Sequence, residues 1–167
     1  LSQAQRTVIR ILRDSIRVLK RNKKRVVLAL EMLTPQHDAF VKKFLQGKIS
    51  ERVFLESIGF EENWGFPWEH YKPLFDFAKE HQIEIKGINN PTISKNNSLK
   101  QRDQFAAKVI AELSEKDPKA CLFVLIGDLH LAQKHLPTEI KVRLKRKNIS
   151  KKLLTIHQNL EKLYWQL

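Results

Sequence analysis

Three apolar segments of the sequence each end at residues whose side chains could do acid–base or metal chemistry. Glu31 follows VVLAL, Asn89 and Asn90 follow QIEIKGI, and Asp128 and His130 follow CLFVLIG. If these segments are parallel strands, their carboxyl ends share one edge of a sheet, where ligands bind in open α/β folds. A carboxylate and an imidazole in one cleft can act as general base and acid, or ligate a metal ion. The sequence therefore predicts a polar site in which Glu31 and His130 are catalytic or hold a divalent metal; a paired strand-end carboxylate and a structural histidine are the alternatives.

Arg102 and Asp103 form a second candidate pair, at the start of a predicted helix. The guanidinium of Arg102 offers a planar fork of donors that suits a carboxylate, a phosphate or a propionate. Asp103 also has a structural interpretation, in which it caps its own helix and interacts with the positive end of the helix dipole. Both interpretations of Asp103 stay open at this point.

The segment WGFPWEHY, residues 64–71, concentrates aromatic side chains and includes His70 and Tyr71. Such a segment suits the surface for a flat ligand, with a histidine or a tyrosine offered to an iron atom. It suits a hydrophobic core with an aromatic rim equally well. The other histidines have no partner at metal-ligand spacing and are interpreted as surface or local hydrogen-bonding residues: His37, His81, His135 and His157.

Missing motifs argue against several other chemistries. The sequence contains neither GxGxxG nor GxxxxGK[ST], and five glycines in total leave little room for a phosphate-binding loop. It also lacks the GxSxG segment of many serine hydrolases. Cys121 is the single cysteine, so an internal disulfide and a multi-cysteine metal cluster are excluded.

The apolar pattern predicts a parallel α/β fold that would position these residues. Residues 26–30, 82–88 and 121–126 are predicted strands, and the first and third are apolar enough to be buried on both faces. Apolar residues recur every three or four positions between these strands, as is typical of helices. Strands separated by helices of this length indicate a parallel sheet flanked by helices. One predicted helix ends near residue 22, and the others span residues 35–46, 50–57, 68–78, 101–115 and 137–147. The last of these segments also alternates like an edge strand, through Ile140, Val142 and Leu144.

Four expectations concern loops and ends. The polar residues 92–100 are predicted to form a mobile loop, residues 153–156 a fourth strand, and a last helix begins at Asn159. The first helix carries an apolar stripe that needs a sheet to cover, so we expect that a strand preceding it is missing. Residues 1–167 are accordingly interpreted as a single domain that is a fragment of a longer native chain.

The chain is strongly basic, and two clusters carry most of the excess. With 31 Lys and Arg against 18 Asp and Glu, the net charge is +13, and the clusters span Lys20–Arg25 and Lys141–Lys152. They predict either a solvated basic face or attraction to an anionic membrane surface or ligand. Nucleic acid is disfavoured, because neither cluster is interleaved with stacking aromatic residues.

Several of these motifs occur together, in the same order, in a known family. LALEMLTPQHDAFVKKFLQGKIS, WEHYKPLFDFAKE, INNP, Arg102–Asp103 and VLIGDLHLAQKHLP together resemble the ChaN-like haem-binding proteins over roughly residues 26–137. The resemblance implies an α/β fold, haem as cofactor and an iron-regulated lipoprotein of a bacterial envelope membrane. It also implies a homodimer with haem at its interface.

The resemblance further implies roles for individual residues. Glu31 matches the acidic strand end and His130 the histidine after glycine, whereas tyrosine ligation of the haem iron falls on Tyr71. The family normally begins with a strand carrying a GExH pattern, which this chain lacks upstream of Val26. This departure agrees with the missing strand expected above. The expected cofactor-binding residues are Tyr71, His70, Arg102, Asn90 and Asp103.

A more distant resemblance, to erythromycin-esterase-like and Tiki-like proteins, implies a different function. It suggests a metal-assisted hydrolase in which Glu31 and His130 are catalytic, so the sequence leaves open whether the protein is an enzyme. Haem binding should survive Glu31→Gln, whereas hydrolysis should not. A third hypothesis, an adaptor for membranes or nucleic acid, rests on the basic clusters and predicts steep salt dependence.

Overall fold

One parallel sheet forms the centre of the structure, a computed structural model that describes residues 3–92 and 98–157. Its strands are β1 (Val26–Leu30), β2 (Glu84–Gly87) and β3 (Cys121–Leu125), in the order β2-β1-β3. Both neighbours run parallel to β1. The predicted α/β fold with a parallel sheet is therefore confirmed.

Helices cover both faces of this sheet. Leu28 and Leu30 of β1 face a large core shared with the first five helices, whereas Ala29 faces the last two, as the alternation of a strand requires. No helix in the described ranges is long and apolar enough to cross a membrane. The helices are α1 (Gln3–Arg21), α2 (Asp38–Leu45), α3 (Glu51–Ile58), α4 (Phe60–Asn63), α5 (Lys72–His81), α6 (Leu99–Lys116) and α7 (Leu136–Arg146).

Two predicted segments differ in detail from what the structure contains. Residues 35–46 form a 3-10 turn, Pro35–His37, followed by α2 rather than one helix. The predicted loop 92–100 is wrong at its end, because Ser98 and Gln101 form a capping box that starts α6 at Leu99. Residues 93–97 of that loop lie outside the described residues.

The edge formed by β3 departs most from expectation. β3 is partly exposed along its whole length, so the expectation of a strand buried on both faces is wrong there. The expected fourth strand at residues 153–156 is also wrong, because residues 151–157 have no regular secondary structure. The helix expected from Asn159 lies outside the described residues, and the missing strand before α1 stays a prediction.

Gly87 allows the carboxyl ends of β1 and β2 to lie close together. A Cβ atom at this position would collide with the backbone of Leu33 and Thr34. The Gly87 amide also donates to Asp38 Oδ1 at 2.9 Å, and Asp38 forms an ion pair with Lys86 at 3.1 Å. The loop after β1 is therefore held against β2, which fixes the edge of the sheet that carries Glu31.

Candidate functional site

The carboxyl ends of β1 and β3 lie side by side at a change of direction in the chain. From β1 the chain reaches β2 through α2–α5 on one face, and from β2 it reaches β3 through α6 on the other face. Such a switch leaves a crevice between the two neighbouring strand ends. Glu31 follows β1 at this crevice, and Gly127 and His130 follow β3.

Glu31 joins the two strand ends directly. Its Oε2 accepts the Gly127 N–H at 2.7 Å, and its Oε1 lies 3.1 Å from His130 Nε2. The side chain of Glu31 is 16% exposed and that of His130 is 5% exposed. The predicted acid–base pair is thus within hydrogen-bond distance and largely shielded from water.

A second carboxylate, Asp103, holds two histidines. Its Oδ1 lies 2.5 Å from His130 Nδ1, and its Oδ2 lies 2.8 Å from His135 Nδ1. Asp103 is 1% exposed, whereas the His135 side chain is 34% exposed. Glu31, His130, Asp103 and His135 therefore form one continuous chain of contacts from the crevice to the surface, the carboxylate–histidine cluster.

The structure decides between the two interpretations of Asp103. The cap of α6 is Ser98, whose Oγ accepts the Gln101 N–H. Asp103 instead lies in the second turn, on the buried side of the helix, where it contacts the segment after β3. The helix-cap interpretation of Asp103 is therefore wrong.

The cluster favours a charged pair of Glu31 and His130. Burial alone raises the pKa of Glu31, but hydrogen bonds from His130 and Gly127 and the charges of His130 and Arg102 outweigh it, so its pKa lies below the ordinary value. Burial alone lowers the pKa of His130, but hydrogen bonds to Glu31 and Asp103 and their charges raise it above the ordinary value. A protonated imidazole between two carboxylates can donate from both ring nitrogens, so the cluster can store and transfer a proton.

Arg102 and Tyr71 lie within electrostatic reach of Glu31. The charge of Arg102 helps to lower the Glu31 pKa, yet no ion pair within 4.0 Å is found for Arg102 in the described part of the chain. Its Nε atom is buried and has no hydrogen-bond partner among the described residues. Burial raises the pKa of the Tyr71 phenol, and the charge of Glu31 adds to this effect.

The aromatic segment 64–71 divides between core and surface. Trp68 is buried and packs against Phe54 and Phe75. Trp64 is partly buried and lies 6.0 Å from Tyr71 between ring centroids, and Phe66, 58% exposed, lies 6.1 Å from Trp64. Trp68 is therefore core, and Trp64, Phe66 and Tyr71 form a rim that we call the aromatic rim, whereas the role of this segment in binding a flat ligand stays a prediction.

Two of the expected cofactor-binding residues have no contact with the cluster in the described structure. Asn90 Oδ1 accepts hydrogen bonds from Thr92, N–H at 3.0 Å and Oγ1 at 2.7 Å, and so stabilises its own turn. His70 is partly buried in the 3-10 turn Trp68–His70. Their proposed roles in haem binding, like those of Tyr71, Arg102 and Asp103, stay predictions.

The described residues do not supply the expected divalent metal site. Within residues 3–92 and 98–157, no group of three or more His, Cys, Asp and Glu side chains has an arrangement that could hold a metal ion. Glu31 and His130 contact each other instead of a common point. The divalent-metal part of the expectation therefore has no support from the geometry.

His135 is the member of the cluster that sequence reasoning missed, because it was interpreted as a surface or local residue. It lies on the same connection after β3 as His130, immediately before α7 begins at Leu136. A histidine at that boundary, five positions after His130, was the available signal. What the sequence could not reveal is that Asp103 directs one oxygen towards each ring.

Comparisons with known proteins bear on this geometry. The family model described as haem-binding uptake, Tiki superfamily, ChaN matches residues 2–101 of the chain. Searches of curated proteins and of solved structures returned no match. The matched range contains Glu31 and the aromatic rim, and it ends one residue before Arg102.

Proposed function

Because this chain belongs to the ChaN family of haem-binding uptake proteins in the Tiki superfamily, we propose that it binds haem beside the carboxylate–histidine cluster. Tyr71 is the proposed ligand of the haem iron, with His70 as the alternative. Haem would supply an iron atom that accepts an oxygen or nitrogen ligand from the protein.

The observation that carries this proposal is the position of Tyr71. Its phenol is half-buried, its ring packs edge-on against Trp64 of the aromatic rim, and it lies within electrostatic reach of Glu31. An apolar flat ligand stacks well on exposed aromatic rings, and Phe66 and Trp64 offer such rings next to a potential oxygen ligand.

Arg102 is the proposed partner of a haem propionate. Its buried Nε lacks a hydrogen-bond partner among the described residues, and a buried unpaired donor is costly. A propionate carboxylate would satisfy the guanidinium in the bidentate way that arginine favours. The residues present therefore fit a ligand that is flat, apolar and anionic at one edge.

A haemin titration followed by visible absorption tests this proposal. We expect a saturable Soret shift for the unaltered chain. Tyr71→Phe, which removes only the hydroxyl, should weaken binding by about tenfold or more and change the spectrum, since one ligand bond of about 1.4 kcal/mol or more corresponds to that factor. Arg102→Gln should weaken binding without changing the ligand spectrum.

Two control variants make the titration decisive. His81→Ala removes a histidine that packs against Phe77, at the opposite end of α5 from Tyr71, and should leave the titration unchanged. His70→Ala separates the two ligand candidates. An unaltered spectrum in Tyr71→Phe together with a changed one in His70→Ala would assign the iron to His70, and no saturable shift in the unaltered chain would contradict haem binding.

The carboxylate–histidine cluster favours a second candidate function, hydrolysis. Glu31, His130 and Asp103 are linked at 3.1 Å and 2.5 Å, an arrangement in which a carboxylate can accept a proton and a histidine oriented by a second carboxylate can donate one. In this proposal Glu31 is the general base, His130 the acid, and Asp103 positions His130.

Glu31→Gln distinguishes the two candidates. If the chain is a hydrolase, its activity on a chromogenic ester such as p-nitrophenyl acetate should fall by about 100-fold or more, because general acid–base catalysis is worth roughly that much. Haem affinity should change little, since Glu31 is not a proposed ligand. Activity that is equal in Glu31→Gln and in the unaltered chain would remove the hydrolase candidate.

We also propose that an anionic membrane surface is a partner, in keeping with a location at a bacterial envelope. The two basic clusters approach each other in the fold: burial lowers the pKa of Lys151, and the charge of Lys24 adds to this effect. Lys24 precedes β1, and Lys151 contacts Pro118, which precedes β3. The basic surface thus lies at the amino edge of the sheet, opposite the proposed haem site.

A further inference from the structure

The exposed face of α1 carries a row of four arginine residues. They recur at spacings of four, three and four residues, which places them within an arc of about 60° on a helix that turns about 100° per residue. Leu12 and Ile16, on another side of the same helix, are buried in the core. The row therefore faces away from the sheet, and we call it the arginine stripe: Arg6, Arg10, Arg13 and Arg17, all exposed.

The arginine stripe lacks neutralising partners. Within residues 3–92 and 98–157, none of its side chains forms an ion pair or a hydrogen bond. Asp14, the only acidic residue of α1, forms no ion pair with these described residues either. Positive charges three or four residues apart destabilise a helix, and positive charge near its amino end opposes the helix dipole. The stripe therefore weakens α1, so helix stability does not explain why these residues are arginine.

The arginine stripe leads towards the basic surface at the amino edge of the sheet. α1 has 19 residues and is therefore about 28 Å long at about 1.5 Å per residue. Near its carboxyl end, Lys20 Nζ donates to the carbonyl of His81 at 3.0 Å, and His81 ends α5 just before β2. Lys24 follows between α1 and β1. Positive charge thus extends along the helix to the edge of the sheet that carries the basic surface.

We propose, on the basis of the membrane partner proposed above, that the arginine stripe is the surface that meets the anionic membrane and that it binds lipid phosphate groups. A guanidinium donates two parallel N–H groups to a phosphate, which suits arginine to this contact better than lysine. Because Leu12 and Ile16 stay packed in the core, the helix lies on the lipid headgroups without inserting its apolar face into the acyl chains, as free amphipathic helices do.

A lipid surface fits the arginine stripe better than a nucleic acid does. Proteins that bind single-stranded nucleic acid combine basic residues with aromatic side chains on which the bases stack, and α1 contains no aromatic residue. Lipid phosphates diffuse in the plane of the membrane and can gather beneath a straight row of charges. The arginines act together, since each one near an anionic surface changes the affinity by about fivefold.

Co-sedimentation with lipid vesicles tests the arginine stripe. The vesicles contain phosphatidylcholine alone or together with phosphatidylglycerol, whose phosphate is its only charge. We expect the unaltered chain to bind only the vesicles with phosphatidylglycerol. Arg10→Gln combined with Arg17→Gln should lower that affinity about 30-fold, from about fivefold for each arginine. Arg10→Lys combined with Arg17→Lys keeps both charges and should restore most of the affinity.

A second double variant controls for the change in net charge. Lys42→Gln combined with Lys43→Gln removes two positive charges from exposed positions of α2. α2 packs against β2, whereas α1 lies beside β3, at the other end of the sheet. This variant should lower the affinity by about twofold or less, because charges that lie beyond the range of salt screening contribute little.

Thermal unfolding separates docking from a structural role. Glutamine and arginine have similar helix propensities, and the substitutions remove repulsion between like charges. Arg10→Gln combined with Arg17→Gln should therefore unfold at the same temperature as the unaltered chain or at a higher one. A lower unfolding temperature would mean that the arginines stabilise the fold, and it would overturn the proposal.

Three binding results would also count against the proposal. Failure of the unaltered chain to bind phosphatidylglycerol vesicles overturns the membrane partner together with the arginine stripe. Equal losses in the α1 and α2 variants overturn the role of the stripe alone, because the membrane partner still stands. Tighter binding of inorganic polyphosphate than of vesicles, lost in Arg10→Gln combined with Arg17→Gln, would assign the stripe to a soluble polyanion.

Discussion

Asp103 controls the chemistry of the candidate site although it does not face the crevice. Both of its oxygens contact a histidine, and it is almost completely buried between them. A buried carboxylate that contacts two rings fixes the orientation of each, and its charge helps to raise the pKa of His130. The properties of His130 therefore depend on a residue one helix away.

Asp103→Asn should lower the pKa of His130. The substitution keeps the volume of the side chain and removes the negative charge that helps to raise that pKa. Titration of the histidine ring signals by NMR measures the effect, and His81 provides an internal reference on the far side of the fold. A His130 titration that does not move would contradict the assigned role of Asp103.

Stability should depend on pH through Glu31 and His130 with opposite signs. The pKa of Glu31 is lowered on folding, so its contribution is present above about 4.5 and is lost as the pH falls through the folded-state pKa. The pKa of His130 is raised, so its contribution is present below about 6.5 and is lost as the pH rises through its folded-state pKa. Urea unfolding should therefore show the largest contribution of the pair between these values.

Glu31→Gln is the test of that pH profile. Removing one partner of a buried ion pair leaves the other uncompensated, at a cost of about 3–5 kcal/mol when burial is complete. Partial exposure of Glu31 makes the expected loss smaller, and the acid limb of the profile should flatten. If the free energy of unfolding of Glu31→Gln falls as steeply at acid pH as that of the unaltered chain, another carboxylate causes the acid dependence.

At the scale of elements, the contact between β2 and the loop after β1 is sensitive to a single methyl group. Gly87→Ala should lower the free energy of unfolding by about 1–3 kcal/mol, the usual cost of overpacking, because the added Cβ meets the Thr34 and Leu33 backbone. Gly65→Ala is the matched control, since no atom lies within 4 Å of a Cβ there. Equal unfolding midpoints for the two variants would contradict this packing.

The pattern of apolar residues within a segment was sufficient to predict β1 and α6. The run VVLAL predicted β1, and the spacing around Val109 predicted α6, because their apolar residues repeat with the period of the element. The run CLFVLIG looks equally buried, yet in the part of the chain that the structure describes β3 is an edge strand. Burial of a strand depends on what pairs with it, and no pattern within the strand records that.

The sequence likewise predicted one part of the candidate site, Glu31 with His130, and missed another, His135 with Asp103. Chain order placed Glu31 and His130 at one edge of the sheet, since parallel strands share that edge. The pairing of His135 with Asp103 depends on how α6 and α7 pack together across one face of the sheet. Such a contact between separate helices has no signature in the sequence.

Across the whole molecule, Lys24 and Lys151 of the two basic clusters lie at the amino edge of the sheet, opposite the candidate site. We expect the chain to bind vesicles containing phosphatidylserine, with affinity that falls as added salt shortens the range of the attraction. Lys24→Glu should weaken vesicle binding more than Lys134→Glu, a charge-matched change beside the candidate site. Equal weakening by both would indicate attraction by net charge alone.

Glu31 is far along the sequence from the residues that it contacts, and this has a consequence for how the protein folds. Glu31 and Gly127 are 96 residues apart, and Asp103 and His130 are 27 apart. Closing such loops costs chain entropy before any contact offsets that cost. Contacts between residues far apart in the sequence therefore slow folding. During synthesis the Glu31 carboxylate cannot reach Gly127 and His130 until residues 127–135 have emerged from the ribosome, so we expect it to stay hydrated until then.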